Sequence, residues 1–263
     1  MMPIICLVSD FGLDDTWVGV CHAVIARACP EGRVIDLAHH IPPYDVRTGS
    51  FVAASGVYQL PEAIHVVVVD PGVGGERRCV CIVTVEGTTL IGPDNGVLIP
   101  AASMVGGVDR AFELPVDAAV SPTFHGRDVF APSAAKVACG AAPADLWNEV
   151  DVATLAVAPF PECDKEGDYI RGEVLGMDRF GSVRLNIPAP RASELGLEGE
   201  MLEVGIGHNA LAVPFRNTFS EVDAGDPLVM FDSSGWLTLS VNQGSAGDRY
   251  GVIPGSRVRV RAL

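Results

Sequence analysis

Basic residues are scarce in this 263-residue chain: 18 Lys and Arg stand against 33 Asp and Glu, a formal net charge of -15. A surface of that sign repels nucleic-acid phosphates and anionic membranes, which argues against either as a partner. No stretch reaches the roughly 18 uncharged apolar residues of a membrane-spanning helix. Met1–Asp10 has no basic segment leading into a long apolar one. The expectation is a cytoplasmic protein, neither exported nor inserted. Metal-type spacing is missing as well: His22, His39, His40, His65, His125 and His208 form no HxxxH or HExxH pattern, so no metal is expected. The seven cysteines are odd in number, lack CxxC spacing and sit mostly among apolar residues, which reads as buried free thiols in a reducing compartment.

What is present is a 48% hydrophobic, 19% charged composition, ordinary for a globular protein with a sizeable core. The first half alternates strand and helix: strands at Ile4–Ser9, Arg33–Leu37 and Ile64–Val69, with helices at Thr16–Cys29 and Val46–Tyr58. That is the β-α-β pattern of a parallel sheet with helices on its faces. Arg78–Val85 and Thr88–Gly92 then form a strand pair across Glu86-Gly87, and Val129–Cys139 reads as a helix. Prolines and charges mark residues 159–168 as a linker, and short strands with close turns follow. The predicted architecture is α/β: an N-terminal α/β domain over 1–158 with a mostly parallel central sheet, and a smaller C-terminal antiparallel β-barrel domain over 169–263.

Chemistry gathers in three loops. The apolar run Val66–Val69 reads as a strand buried on both faces; it ends on Asp70, and the glycine-rich loop behind it delivers Arg77 and Arg78. A strand and not a helix follows that loop, and no Gly-Lys-Ser/Thr closes it, which disfavours dinucleotide and P-loop readings. Asp10 ends the first strand as Asp70 ends the third, so parallel pairing places both carboxylates at one sheet edge. A carboxylate there suits a ribose diol, although a turn or helix-cap role explains either one alone. In the third loop, Ser121–Asp128, His125 is a candidate general base or water-holding donor, while adjacent Arg127 and Asp128 read as a pair or helix cap.

Seven segments in order, SDFGLDD (9–15), VIDLAHHIPPYDV (34–46), VDPGVGGERR (69–78), GPDNGVL (92–98), TFHGRDVFAP (123–132), MDRFGSVRLNI (177–187) and VNQGSAGDRYG (241–251), carry a resemblance to the S-adenosyl-L-methionine (SAM) hydrolases, or SAM hydroxide adenosyltransferases, relatives of the fluorinases and chlorinases. The resemblance implies that Asp70, Arg77 and His125 hold a water near the 5′ carbon of SAM. It implies ribose binding by Asp10, carboxylates near the methionine amino group at Asp15 and Asp178, an aromatic beside the nucleoside at Tyr44, and a methionine-contacting Ser233. Phe11, Asn95, Phe180 and Ser182 fall within the same motifs and complete the expected substrate site. Ser182 departs from the family pattern, which has Asn after Phe-Gly; a hydroxyl cannot supply both an amide donor and an acceptor to a purine. The resemblance further implies a homotrimer with sites between subunits, no cofactor, and the products adenosine and L-methionine. Halide transfer to the same carbon is the enzymatic alternative, disfavoured because halogenating relatives lack the Asp at position 70 and carry small or hydroxyl-bearing residues in place of His125-Gly126. A non-catalytic adenosine or SAM binding protein is the other, and it has no need of the Asp70, Arg77, His125 trio.

Overall fold

The computed structural model describes residues 2–263 apart from residues 198 and 208, so His208 lies outside the described residues. The chain forms two compact units, the first ending at Phe160 and the second beginning at Pro161.

The first unit holds β1 (Ile4–Ser9), α1 (Trp17–Ala28), β2 (Arg33–Ala38), α2 (Val46–Gln59), β3 (Ile64–Val68), β4 (Cys79–Thr84), β5 (Thr89–Pro93), α3 (Ile99–Ser103), β6 (Val108–Leu114), α4 (Ala131–Ala138), α5 (Pro143–Leu146) and β7 (Asn148–Val150). The strands make one sheet in the order β2-β1-β3-β5-β4-β6-β7. It is mixed rather than mostly parallel. β1 pairs in parallel with β2 and β3, and β3 with β5, but β4 runs antiparallel to both β5 and β6, and β6 to β7. The cause is local. Glu86-Gly87 turns the chain with no crossover element, Gly87 at φ 86°, and strands joined by so tight a turn are necessarily antiparallel.

Helices cover both faces. On one, α1 and α4 bury Cys21, Ile25, Ala131, Ala134 and Ala135 against Ile5, Leu7, Val66, Cys81 and Phe112. The small residues of α4 let its backbone approach the sheet closely. α2 and α3 contact each other and the sheet; Asp45 caps α2 by accepting the Thr48 amide at 2.9 Å. Every residue of β3 is buried, His65 among its apolar neighbours included, as expected of a strand covered on both sides.

The second unit holds β8 (Asp164–Glu166), β9 (Tyr169–Met177), β10 (Val183–Pro188), α6 (Ala189–Glu194), β11 (Met201–Ile206), β12 (Asn209–Pro214), β13 (Pro227–Phe231), β14 (Trp236–Val241), α7 (Ala246–Tyr250) and β15 (Arg257–Ala262). Strand pairing thus begins inside the stretch whose prolines and charges read as a linker, because β8 pairs with β9. The sheet runs β12-β11-β15-β9-β10-β14-β13, antiparallel throughout. Its outer strands approach each other where Phe215 bridges Val229 and the Arg216 amide donates to Val229 O at 2.9 Å. The result is a nearly closed, barrel-like sheet. β15 shows the alternation that fills it: Val258 and Val260 point into the core while Arg257, Arg259 and Arg261 point away.

Candidate active site

The mixed sheet decides which chain ends meet. β1 and β3 are parallel neighbours, Ser9 opposite Val68, so Asp10 and Asp70 both emerge at their carboxyl edge. β5 is parallel to β3 and ends at that edge too. β4 runs the other way, with Cys79 opposite Pro93, so its amino end starts where the others finish. The loop of residues 71–76 therefore brings Arg77 back to Asp70 instead of carrying it across the sheet. Gly74 makes this possible: at φ 74° it lies so close to the 121–125 loop that a Cβ there would stand 2.2 Å from Pro122 O. The glycine loop is thereby pressed onto the loop that carries His125.

These two loops assemble one cluster. Arg77 grips Asp70 with two parallel bonds, Nε to Oδ1 at 2.9 Å and Nη2 to Oδ2. The side chains are only 10% and 5% exposed, so the pair is largely withdrawn from water. Arg77 Nη2 also lies 2.8 Å from His125 Nδ1. A guanidinium has no acceptor, so Nδ1 must accept, and the ring proton resides on Nε2. Burial, and then the Arg77 charge, push the His125 pKa below its usual 6.5 and favour this neutral form.

Cys79 is the member that sequence reasoning missed. Arg77 Nη1 donates to Cys79 Sγ at 2.9 Å, and that sulfur stands 3.6 Å from His125 Nδ1. Burial raises the Cys79 pKa, outweighing the guanidinium beside it, so the group stays a thiol. Strand alternation carried the signal: Cys79 projects to the same side as Arg77 two residues earlier. The Phe130 ring lies 5.7 Å from the Arg77 guanidinium carbon. Arg77 is thus held by a carboxylate, an imidazole, a thiol and an aromatic ring.

His125 stands at the mouth of a π-helical turn, Gly126–Phe130, that leads into α4. One continuous helix over Val129–Cys139 is the sequence expectation; the wider turn arises where the Ala131 amide reaches back to Gly126 O ahead of Pro132, which has no N–H to donate. Gly126 admits the Phe11 ring, since a Cβ would lie 2.9 Å from it. Phe11 in turn stacks edge-on against Trp17 and Phe124. Arg127 pairs with its neighbour Asp128 at 2.6 Å.

A second group forms beside Asp10. Its Oδ2 accepts the Tyr44 amide at 2.9 Å. Tyr44 sits at φ 68°, a conformation unfavourable for a bulky residue, and is 73% exposed. Asp15 accepts the Thr16 amide at 2.6 Å. Asn95 uses both ends of its side chain on backbone, donating to Val69 O at 2.9 Å and accepting from Val97 at 3.1 Å. Arg78 turns away from Arg77 and pairs with Asp94.

In the second unit, Asp178, Phe180 and Ser182 share the turn between β9 and β10. Asp178 Oδ1 accepts the amides of Phe180 at 2.8 Å and Ser182 at 3.0 Å. Phe180 itself is 81% exposed. Ser233 lies on the turn joining β13 to β14, next to Asp232, whose Oδ2 accepts from Arg184 at 2.6 Å. Among the described residues no three His, Cys, Asp or Glu side chains converge as metal ligands, and no helix is long and apolar enough to cross a membrane.

The chain matches two family models in order: the SAM hydroxide adenosyltransferase N-terminal domain over residues 5–147 and the C-terminal domain over residues 172–259. A protein of Salinispora tropica named (R)-S-adenosyl-L-methionine hydrolase is 44% identical over 268 residues, covering 99% of this chain and 98% of the relative. One of Thermus thermophilus with the same name is 41% identical over 273 residues, covering 99% and 100%. A fluorinase of Actinopolyspora mzabensis stands further off, 26% identical over 298 residues with 98% and 97% coverage. The crystal structure of an uncharacterized conserved protein from Thermotoga maritima superposes with a TM-score of 0.86 at 32% identity, over 98% of this chain and 99% of that one. On both domains and along nearly its whole length, this chain belongs to the SAM hydroxide adenosyltransferase family.

Proposed function

We propose that the protein hydrolyses (R)-S-adenosyl-L-methionine to adenosine and L-methionine by in-line attack of a water-derived oxygen on the ribose 5′ carbon. The observation that carries this reading is the convergence of Asp70 and His125 on the single guanidinium of Arg77, in a chain whose full-length relatives bear the hydrolase name.

The reaction asks little of the leaving group. A sulfonium departs as a neutral thioether, so no acid is required to protonate it. The difficulty lies in the nucleophile, because water is weak and hydroxide is rare near neutrality. In this reading Arg77 offsets the negative charge that develops on the attacking oxygen. With His125 Nδ1 taken by Arg77, the Nε2 proton is the donor the ring has left, and in this reading it holds the water. Asp70 takes the proton: each of its oxygens accepts one bond from Arg77, and a carboxylate has further lone pairs beyond those. Fixing the oxygen in line with the carbon–sulfur bond lowers the barrier further.

Substrate roles follow the same reading. Asp10 takes the ribose diol while its Oδ2 keeps Tyr44 in place, and Phe11 lines the nucleoside side. Asn95 acts indirectly by fixing Val69 O, one residue before Asp70. Asp15, Asp178 and Ser233 receive the methionine portion, and Phe180 and Ser182 border the adenine. The working assembly is a cytoplasmic homotrimer with sites between subunits.

Incubation with SAM in halide-free buffer and again with chloride, followed by chromatography, tests the reading. Adenosine in both buffers is the expected result. A 5′-halogenated nucleoside assigns halide transfer instead, and intact SAM with bound adenosine assigns a binding protein.

A further inference from the structure

A polar chain behind β1 is not used by the chemistry above. Ser9 Oγ lies 2.7 Å from His39 Nδ1, and His39 Nε2 lies 2.9 Å from Asp36 Oδ1. His22 Nε2 reaches the same Asp36 oxygen at 2.8 Å. Serine, histidine and aspartate joined in this order are also the parts of a nucleophilic triad. Here the serine is no nucleophile. Ser9 is 2% exposed and His39 4%, and the cavity they border with Phe11 and Gly126 measures only about 10 Å³, room for about one water. Ser9 Oγ also accepts the Phe11 amide at 3.3 Å.

One arrangement of protons satisfies all four of these bonds. Asp36 accepts from the Nε2 protons of His39 and His22, which leaves His39 Nδ1 as an acceptor. Ser9 then donates its hydroxyl proton to Nδ1 and accepts from Phe11. Burial works against an ionised Asp36, but the bonds from the two histidines outweigh it and hold its pKa below the usual carboxylate value.

We propose that Ser9, His39 and Asp36 are positioning residues for the ribose end of the substrate site, an assignment that rests on the hydrolase reading. The loop after β1 carries Asp10, Phe11 and Asp15; the loop after β2 carries Tyr44. Three bonds stitch these loops together: Ser9 to His39 through side chains, the Gly12 amide to His39 O at 2.7 Å, and the Tyr44 amide to Asp10. Two of the three pass through His39, and Asp36 fixes the orientation of its ring. None of them touches Asp70, Arg77 or His125. Loosening the stitch therefore weakens substrate binding and leaves the chemical step in place.

The test is steady-state kinetics on SAM together with calorimetric binding of adenosine, using the full chain. Ser9→Ala and Asp36→Asn are each expected to raise KM and the adenosine Kd about ten-fold while kcat stays within about three-fold of wild type. Ser9→Thr, which keeps the hydroxyl, is expected to bind adenosine within about three-fold of wild type. A general loss of folded protein lowers apparent kcat and does not move KM, so the split separates positioning from stability. If Ser9→Ala yields no folded protein, the half-exposed Asp36→Asn decides the question by the same comparison. Variants with KM and Kd equal to wild type, or with kcat reduced at constant KM, overturn the proposal. A wild-type chain that neither turns over SAM nor binds adenosine overturns the hydrolase reading first, and the control reveals it before any variant is compared.

Discussion

The bond of 2.8 Å between Arg77 Nη2 and His125 Nδ1 joins a permanent cation to a ring that must stay neutral to accept from it. Protonation of His125 would set two donors face to face beside a second positive charge. The ring's neutrality and the cluster's geometry are therefore one property.

Its pH dependence has a definite sign. The His125 pKa lies below 6.5 in the folded chain, so the unfolded chain takes up a proton first as pH falls. His65 behaves alike, lowered chiefly by burial despite its bond to Leu60 O. The unfolded state binds more protons between the depressed values and 6.5, so stability is complete above that point and declines as pH falls through the window. Melting temperatures between about pH 5 and pH 8 should rise with pH, and His65→Gln should flatten the slope without moving the pH profile of turnover. A melting temperature that rises on acidification contradicts this account.

Assigning the proton to Asp70 makes Asp70→Asn and His125→Gln unequal. Both lose turnover, but Gln retains a donor for the water and Asn has no strong base. Asp70→Asn is expected to lower kcat by at least about 10²-fold, His125→Gln by less, and both to bind adenosine near wild-type affinity. Equal losses, or a larger one for His125→Gln, sink the assignment.

Cys79 bears on Arg77 through a single N–H. Cys79→Ala leaves that donor buried without an acceptor, at a cost of about 1–3 kcal/mol. Cys79→Ser restores one. Urea unfolding and turnover of the two variants, measured side by side, should show Ala impaired in both and Ser close to wild type.

Gly74→Ala meets two obstacles, a left-handed backbone and the Pro122 carbonyl. The substitution should destabilise the protein by at least about 1 kcal/mol and reduce kcat by displacing Arg77 from His125. Unchanged unfolding and turnover would show that the two loops are not wedged together as described.

Much of this fold is legible residue by residue. The apolar run into Asp70 marked β3 to within one residue, and Pro30 marked the stop of α1. The shared edge of Asp10 and Asp70 followed from parallel pairing alone. The far half of the sheet was harder to read. β6 interleaves Asp109, Arg110 and Glu113 with its apolar residues, and α3, like α6 and α7 in the second unit, is too short for a helical period to declare itself. The Glu86-Gly87 turn makes β4 and β5 antiparallel, but which of the two runs parallel to β3 emerges only from the order β3-β5-β4. Cys79 stayed hidden because a cysteine in an apolar strand reads as filling.

The reversal of β4 also divides the hairpin into a tolerant end and an intolerant one. Its tip at Glu86-Gly87 lies at the opposite edge of the sheet from Asp70, so added length there leaves the cluster untouched. Dropping one residue from Cys79–Thr84 would swap inward for outward side chains along the strand and swing the guanidinium out of reach of its carboxylate. Natural or engineered length variation should accordingly accumulate at the tip and be purged from the strand.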